Sequence, residues 1–299
     1  MIWMYTVTGV NEILARDVAS LEEVETLRRE ADLVWMDFVE PDKKELEVFA
    51  GLVKEDKILE DLQTQKIFQQ PERVDDYVLL SIPHVVFEER LEKYLVYLFV
   101  KEKTLLTVRG RDSSKLVKRA TKTFRDCIGR ASGGNISLSF IVGRLFHEVT
   151  NANLEVVMAL IESIDKLEQK ALANPADRSI IRSVFQLKRE ISTLERILWS
   201  QRELMFSIRE GLVLEIETTD EIRETLDHAI SNISRELSLI DSHNNALESI
   251  LSLQDLGLIH KVERNLIYLT LMALIVSVIL ILLEIDILSL LQTYSRMIH

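Results

Sequence analysis

The sequence predicts an α+β protein with an N-terminal α/β domain, a stalk of long helices and one C-terminal transmembrane helix. Three observations lead to this fold class. Residues 266–283 (LIYLTLMALIVSVILILL) form an uncharged run of 18 residues. Segments rich in β-branched and aromatic residues are confined to roughly the first 110 positions. The chain has only 9 Gly and 4 Pro, and 28% of its residues are charged, a composition typical of long helices.

The apolar run is long enough to cross a bilayer as a helix, because about 20 residues span the hydrocarbon core. The alternative is a buried helix of a soluble protein, but such a helix usually keeps one polar face. Lys261 and Arg264 precede the run, whereas Glu284 and Asp286 follow it. The positive-inside rule then places the N-terminus in the cytoplasm. We therefore expect a single-pass protein of the cell membrane, with 286–299 as a short tail outside.

Composition excludes some classes of function. The net charge of −12 disfavours nucleic-acid binding, because such proteins normally present a basic face. An acidic chain suits a cationic partner such as a metal ion, although most acidic surfaces only keep a protein soluble. The single cysteine, Cys127, excludes a disulfide within the chain and fits a reducing compartment. Residues 1–10 show no features of a secretion signal.

The first part of the chain alternates strand-like and helical segments, and we assign 1–136 to a cytoplasmic α/β domain. The 77–82 strand is expected to end at Pro83. Strands are predicted at 1–7, 33–38, 77–82, 94–101 and 104–109, the last two as a hairpin. Helices are predicted at 21–30, from an Asp42 cap to about 52, and as one turn at 58–62.

Helices dominate the rest of the chain. Asn174-Pro175 and Gly211 separate them, and Thr218 with Glu221 has the spacing of a capping box. They are predicted at 115–128, from a Ser137 cap to about 173, from Asp177 to about 210, and from about 220 to about 285.

The last predicted helix sets the architecture. At 1.5 Å per residue it would be roughly 100 Å long and would pass from the cytoplasm into the membrane. A helix of that length needs the helices before it, and copies of itself in other subunits, to cover it. We assign 137–265 to the helical stalk and 266–285 to the transmembrane helix.

Four stretches of this chain resemble the CorA family of divalent-cation channels in their order and spacing. Leu269-Thr270 also falls where that family has a Leu-Thr pair early in its first membrane helix. The four stretches are 58–61 (ILED) with 70–78 (QPERVDDYV), 164–168 (IDKLE), 186–190 (QLKRE) with 197–203 (ILWSQRE), and 222–228 (IRETLDH).

The resemblance implies a homopentamer that forms an ion channel for Mg²⁺ or Co²⁺, with membrane lipid, divalent cations and its own copies as partners. The chain also departs from the family. CorA proteins have two membrane helices joined by a loop that begins Gly-Met-Asn, but the matching positions 287–289 read Ile-Leu-Ser. No second apolar run follows in this sequence. The chain is therefore expected to be a divergent member of the family.

By the same resemblance, acidic residues of the soluble part sense metal between subunits. Glu60 and Asp61 match one half of that site, and Glu224 with Asp227 the region of the other half. Mg²⁺ takes oxygen ligands and often keeps several waters, so two or three carboxylates at a subunit boundary suffice. A further acidic position of the family falls near 147–148, where a histidine stands first. The alternative is that these are ordinary exposed carboxylates in a chain that has 48 of them.

A heptad pattern in the membrane segment is independent of the family. Glu263, Thr270, Ser277 and Glu284 recur every seven residues and so lie along one slowly drifting helix face. In a parallel ring of helices this face could line a pore, with carboxylate rings that attract cations. The alternative is that Thr and Ser are merely common in membrane helices and that both glutamates lie at interfaces where charge costs little.

The leading hypothesis is a CorA-like transporter with Mg²⁺ as its regulatory and transported ion. A second hypothesis is a non-conducting relative, a metal sensor or membrane-anchored scaffold that pairs with a full-length channel. A third is a soluble coiled-coil protein whose tail anchors it, which would be distinguished by whether extraction requires detergent. The sequence holds no zinc-ligand spacing, phosphate-binding loop or nucleophile motif that would indicate an enzyme.

Overall fold

A computed structural model of the chain describes residues 1–8, 12–17, 21–54, 57–68, 70–110, 113, 115–116, 118–122, 137–175 and 177–298. These residues form two compact units. The first comprises Met1–Ser163 and Leu187–Asn244, and the second comprises Ile164–Gln186 and Asn245–His299. An N-terminal sheet domain is followed by long helices and one apolar helical segment, so the predicted α+β fold class is confirmed.

The first unit contains a seven-stranded sheet with the strand order β2-β1-β3-β7-β6-β5-β4. Adjacent strands are antiparallel except β3 and β7, which are parallel. The five predicted strands are present, whereas β2 and β4 were not predicted. The strands are β1 Ile2–Thr8, β2 Glu12–Asp17, β3 Leu33–Val39, β4 Glu72–Val74, β5 Tyr77–Phe87, β6 Leu91–Lys101 and β7 Thr104–Arg109.

The expectation that a strand ends at Pro83 is wrong, because β5 continues to Phe87. Pro83 pairs with Leu95 of β6 on one side. On the other side, β4 reaches only as far as Leu79 of β5. Pro83 therefore lies where β5 is an edge strand, and a proline on an edge removes no ladder hydrogen bond.

One face of the sheet packs against two short helices. Phe49 lies at the centre of this core, with its ring centroid 5.5 Å from that of Phe38 and 5.0 Å from that of Phe99. Asp42 caps the second helix in a capping box with Glu45, as the sequence predicts for its N-terminus. The helices of this region are α1 Leu21–Glu30, α2 Lys43–Val53 and α3 Lys57–Gln63.

Three long helices follow: α4 Leu138–Ala173, α5 Ser179–Arg209 and α6 Asp220–Ile298. The Ser137 hydroxyl accepts a hydrogen bond from the Phe140 amide, so the predicted cap of α4 is present. Of the helix predicted at 115–128, residues 118–122 are helical. Its remainder, with Cys127, lies outside the described residues.

The capping box predicted at the start of α6 is wrong by one residue. The Ile222 amide donates to the Thr219 hydroxyl at 3.4 Å, which makes Thr219 the cap. The Thr218 hydroxyl instead donates to the Ile208 carbonyl at 3.1 Å and so connects the loop to the end of α5. The backbone of α6 stays helical through Ile298, including the positions where the sequence analysis placed a tail.

Candidate functional site

The first pair of predicted metal ligands lies on α3. Ile58 is buried in the core of the sheet domain and fixes the orientation of this short helix, which leaves Glu60 exposed. The Asp61 side chain is only 20% exposed, and one of its oxygens lies 3.2 Å from Lys66 Nζ. The Thr64 hydroxyl donates to the Glu60 carbonyl and closes the helix. Asp61 therefore already has a cationic partner within its own chain.

The second pair lies on the first two turns of α6. Ile222 and Leu226 are buried, so Glu224 and Asp227 are left on exposed positions of the helix. The Asp227 carboxylate lies 2.6 Å from Arg209 Nε in an ion pair with the end of α5. This ion pair was not predicted, because no sequence spacing relates the end of one helix to the second turn of the next.

Each predicted carboxylate of the soluble part thus has its own surroundings. In the parts of the chain that the structure describes, no group of three or more His, Cys, Asp or Glu side chains is arranged to hold a metal ion. The two pairs of carboxylates do not form a metal site within one subunit. A metal site built from them would need side chains of a second copy.

Histidines lie close to the α6 carboxylates. His228 Nε2 is 3.8 Å from Glu224 Oε1, one helical turn away. His147 on α4 is half-buried, and burial lowers its pKa from the ordinary value. The charges of Arg144 and, more weakly, His228 act in the same direction, whereas Glu148 opposes them. His147 therefore favours its neutral form at neutral pH.

The predicted membrane segment lies in α6. Among the described residues, α6 is the one helix long and apolar enough to cross a membrane. Every side chain from 261 to 283 is exposed. The Thr270 hydroxyl donates to the Leu266 carbonyl at 2.8 Å, which satisfies its polar group without a neighbour. A side chain that carries its own hydrogen bond in this way is compatible with lipid.

The heptad positions of the segment fall on this helix. Glu263 lies before the apolar run, with its carboxylate 3.1 Å from His260 Nδ1. Ser277 is exposed like its neighbours. Glu284 is helical, but its side chain lies outside the described set.

Two buried polar groups of the helices escaped the sequence analysis. Glu236 of α6 is 1% exposed, and burial raises its pKa to about 8. A signal existed, because Glu236 falls in a stripe of apolar residues spaced three and four apart. Gln201 of α5 donates to the Pro83 carbonyl at 2.6 Å and accepts from Asn153 Nδ2 at 2.6 Å. No sequence signal joins residues so far apart.

The fold and its apolar helix together define a class of membrane protein with a soluble α/β domain followed by long helices. A family model described as CorA-like Mg²⁺ transporter protein matches residues 30–278. The chain belongs to this family of Mg²⁺/Co²⁺ transporters, as the resemblance had indicated. Membership in a family of transporters agrees with the prediction that the chain is not an enzyme.

Relatives of known name agree with this membership. The chain is 26% identical over 234 residues to the cobalt/magnesium transport protein CorA of Methanocaldococcus jannaschii, which covers 76% of this chain and 69% of the relative. The complete CorA structure from that organism matches with a TM-score of 0.69 at 20% identity, over 89% of this chain and 79% of that one.

Two further solved structures share the fold. The soluble domain of the same CorA has a TM-score of 0.63 at 21% identity and covers 84% of this chain and 95% of that one. The cytoplasmic domain of ZntB from Vibrio parahaemolyticus has a TM-score of 0.58 at 12% identity, over 87% of this chain and 98% of that one.

Proposed function

We propose that this chain is one subunit of a homo-oligomeric divalent-cation transporter of the Mg²⁺ and Co²⁺ class. The observation that carries the proposal is the apolar part of α6, which is exposed on all sides and continues directly from a helix of the soluble part. In the proposed arrangement 1–136 is the cytoplasmic domain, 137–265 the stalk and 266–285 the single membrane pass. The N-terminus is cytoplasmic and the complex lies in the cell membrane.

An assembly is required for transport by this chain. One membrane helix encloses no pore, whereas a ring of parallel copies does, and a pentamer is the state that the family resemblance suggests. In such a ring the face of Glu263, Thr270, Ser277 and Glu284 would be the pore lining. Their spacing of seven keeps them on one side of the helix. Hydroxyl groups and terminal carboxylates on that side suit a hydrated cation.

Gating is proposed to depend on metal at the boundary between subunits. Glu60 and Asp61 of one copy would face Glu224 and Asp227 of its neighbour. Mg²⁺ is held well by such oxygen ligands. Without the metal, these carboxylates would repel one another and the population would shift toward an open arrangement. Lys66 and Arg209 already pair with Asp61 and Asp227, so they would compete with the metal and weaken its binding.

The mass of the detergent-solubilised full chain tests the assembly. We expect a fivefold particle whose thermal stability rises in millimolar Mg²⁺. Asp61→Ala and Glu224→Ala should abolish that rise. Asp76→Ala is the matched control, because Asp76 is an exposed carboxylate that also has a lysine partner, Lys101, at 2.6 Å. A monomer indifferent to Mg²⁺ would contradict the proposal.

Uptake of divalent cations into liposomes tests conduction. We expect Ser277→Leu and Thr270→Leu to reduce uptake, because each removes a hydroxyl from the proposed lining. Ile279→Leu, on the opposite side of the helix from Thr270, should leave uptake unchanged. Equal effects at all three positions would contradict the assignment of the pore face.

A second function is favoured by one observation. The backbone of α6 remains helical through 287–289, where the family resemblance led us to expect a Gly-Met-Asn loop. A non-conducting relative that senses metal, or anchors a partner channel in the membrane, would need no such loop. An oligomer that binds Mg²⁺ but shows no uptake in liposomes would favour this function.

A further inference from the structure

The exposed face of α6 that carries Glu224 also carries an imidazole. Glu224 and His228 are one turn apart, their nearest atoms are 3.8 Å apart, and the two side chains are 77% and 74% exposed. A carboxylate and an imidazole spaced in this way can reach the same cation from one helix. Neither side chain is needed for packing, so both are available to a ligand.

A second imidazole comes from α4. The two helices approach closely beside these residues, because a Cβ at Gly143 would lie only 3.8 Å from Thr225 Cγ2. His147 follows Gly143 by one turn, and His228 follows Thr225 by three residues. The charges of the two imidazoles act on one another, which also places them near each other.

We propose that Glu224 and His228, with His147 beside them, form a site for a borderline divalent cation such as Co²⁺, Ni²⁺ or Zn²⁺. This inference rests on the proposed function, since the site lies on the same subunit boundary and regulates the same assembly. Water and a carboxylate of a neighbouring copy would complete the coordination, because the described part of one chain holds no set of three ligands.

The donor atoms decide the class of metal. Mg²⁺ prefers oxygen ligands and gives up its water reluctantly. Imidazole nitrogen suits Co²⁺, Ni²⁺ and Zn²⁺, and the affinity of such mixed sites generally rises from Co²⁺ to Ni²⁺. A site with one carboxylate and one or two imidazoles per subunit should therefore prefer these cations over Mg²⁺. The boundary would respond to transition metal at concentrations where it does not respond to Mg²⁺.

Calorimetric titration of the tag-free full chain in detergent with CoCl₂, NiCl₂ and MgCl₂ at neutral pH tests the site. We expect Co²⁺ to bind more tightly than Mg²⁺. His228→Gln should weaken Co²⁺ binding by at least about tenfold, or about 1.4 kcal/mol, and leave Mg²⁺ binding within roughly twofold of the original. His147→Gln should weaken Co²⁺ binding less. The visible absorption of bound Co²⁺ should change in His228→Gln, because a nitrogen ligand has been lost.

His243→Gln is the matched control. His243 lies on the same helix, but its Nδ1 contacts the Leu239 carbonyl at 2.8 Å within its own turn. We expect this variant to bind Co²⁺ like the unaltered chain. Unchanged Co²⁺ affinity and absorption in His228→Gln, or an equal loss in His243→Gln, would overturn the inference.

The same samples separate this inference from the proposed function. If the oligomer forms and Mg²⁺ stabilises it, but Co²⁺ binding ignores His228, the inference fails and the proposed function stands. If the unaltered chain does not assemble in any metal, the proposed function fails, and with it the subunit boundary that this site requires. His228 is exposed, so its substitution should leave folding intact, which circular dichroism checks.

Discussion

The two halves of α6 use apolar side chains in opposite ways. In the first half, buried residues recur every three or four positions. From 261 to 283 every side chain is exposed, although the residues are as apolar as a protein core. The stripe of the first half is Ile222, Leu226, Ala229, Ile233, Glu236, Ile240, Leu247, Ile250 and Gln254.

The difference between the halves lies in their surroundings. A stripe one face wide is stabilised by packing against other helices. A helix that is apolar on all sides is stabilised by lipid, where its backbone needs no partner. The same substitution should therefore have different effects in the two halves, and four predictions use this contrast.

The largest effect is expected for leucine truncation. Leu226→Ala removes a fully buried side chain from the stripe, so we expect a loss of about 2–5 kcal/mol in the free energy of unfolding. Leu274→Ala, in the exposed half, should change it little. Tryptophan fluorescence during denaturation of the detergent-solubilised chain measures both. Equal losses would mean that the apolar half is packed against protein.

The next effect concerns Glu236, the charged member of the stripe. Its pKa is raised to about 8 when folded, against 4.5 ordinarily, so the folded state keeps a proton that the unfolded state releases. Stability should therefore fall as the pH rises from about 4.5 to about 8. Glu236→Gln should remove much of this fall, a gain on the order of 3 kcal/mol at pH 8.

Melting temperatures at pH 5 and pH 8 check the Glu236 prediction. The control is Glu221→Gln, an exposed position on the same helix, which should keep the pH dependence of the unaltered chain. A Glu236→Gln variant with undiminished pH dependence would show that this carboxyl is not held neutral by burial.

A smaller effect is expected at the transition between the halves. A Cβ at Gly257 would lie 2.6 Å from Pro175 Cβ and 2.7 Å from its carbonyl oxygen, so Gly257→Ala should cost about 1–3 kcal/mol. The same change at Gly143 meets only an ordinary 3.8 Å contact and should gain up to about 1 kcal/mol in helix propensity. Thermal unfolding compares the two variants, and a tolerated Gly257→Ala would show that no protein contact persists there.

The smallest effect is expected at the helix start. Thr219→Ala removes the cap of α6 and should cost about 1 kcal/mol. Ser238→Ala, which removes a hydroxyl bonded to its own helix at Ser234, should be neutral. Denaturant titration of both variants checks this, and equal stabilities would return the cap to Thr218.

Much of the fold could be predicted because its signals are local. The limits of α1 and α4 follow from residues within one or two turns of each helix end. β2 and β4 were not predicted, since short edge strands are defined by their partners. For the candidate site, the sequence placed carboxylates on α3 and α6, but the ion pair of Asp227 with Arg209 depends on where the end of α5 meets α6.

The sequence by itself determined the class of this protein: an α/β domain, long helices and a helix able to enter lipid. An uncharged run of 18 residues is decisive in any tertiary context, because its length and polarity match the bilayer. The tertiary structure decided which side of α6 meets protein, that Thr219 rather than Thr218 caps it, and that Glu236 is buried. These features depend on contacts between distant segments, and packing sets the free energies of such contacts.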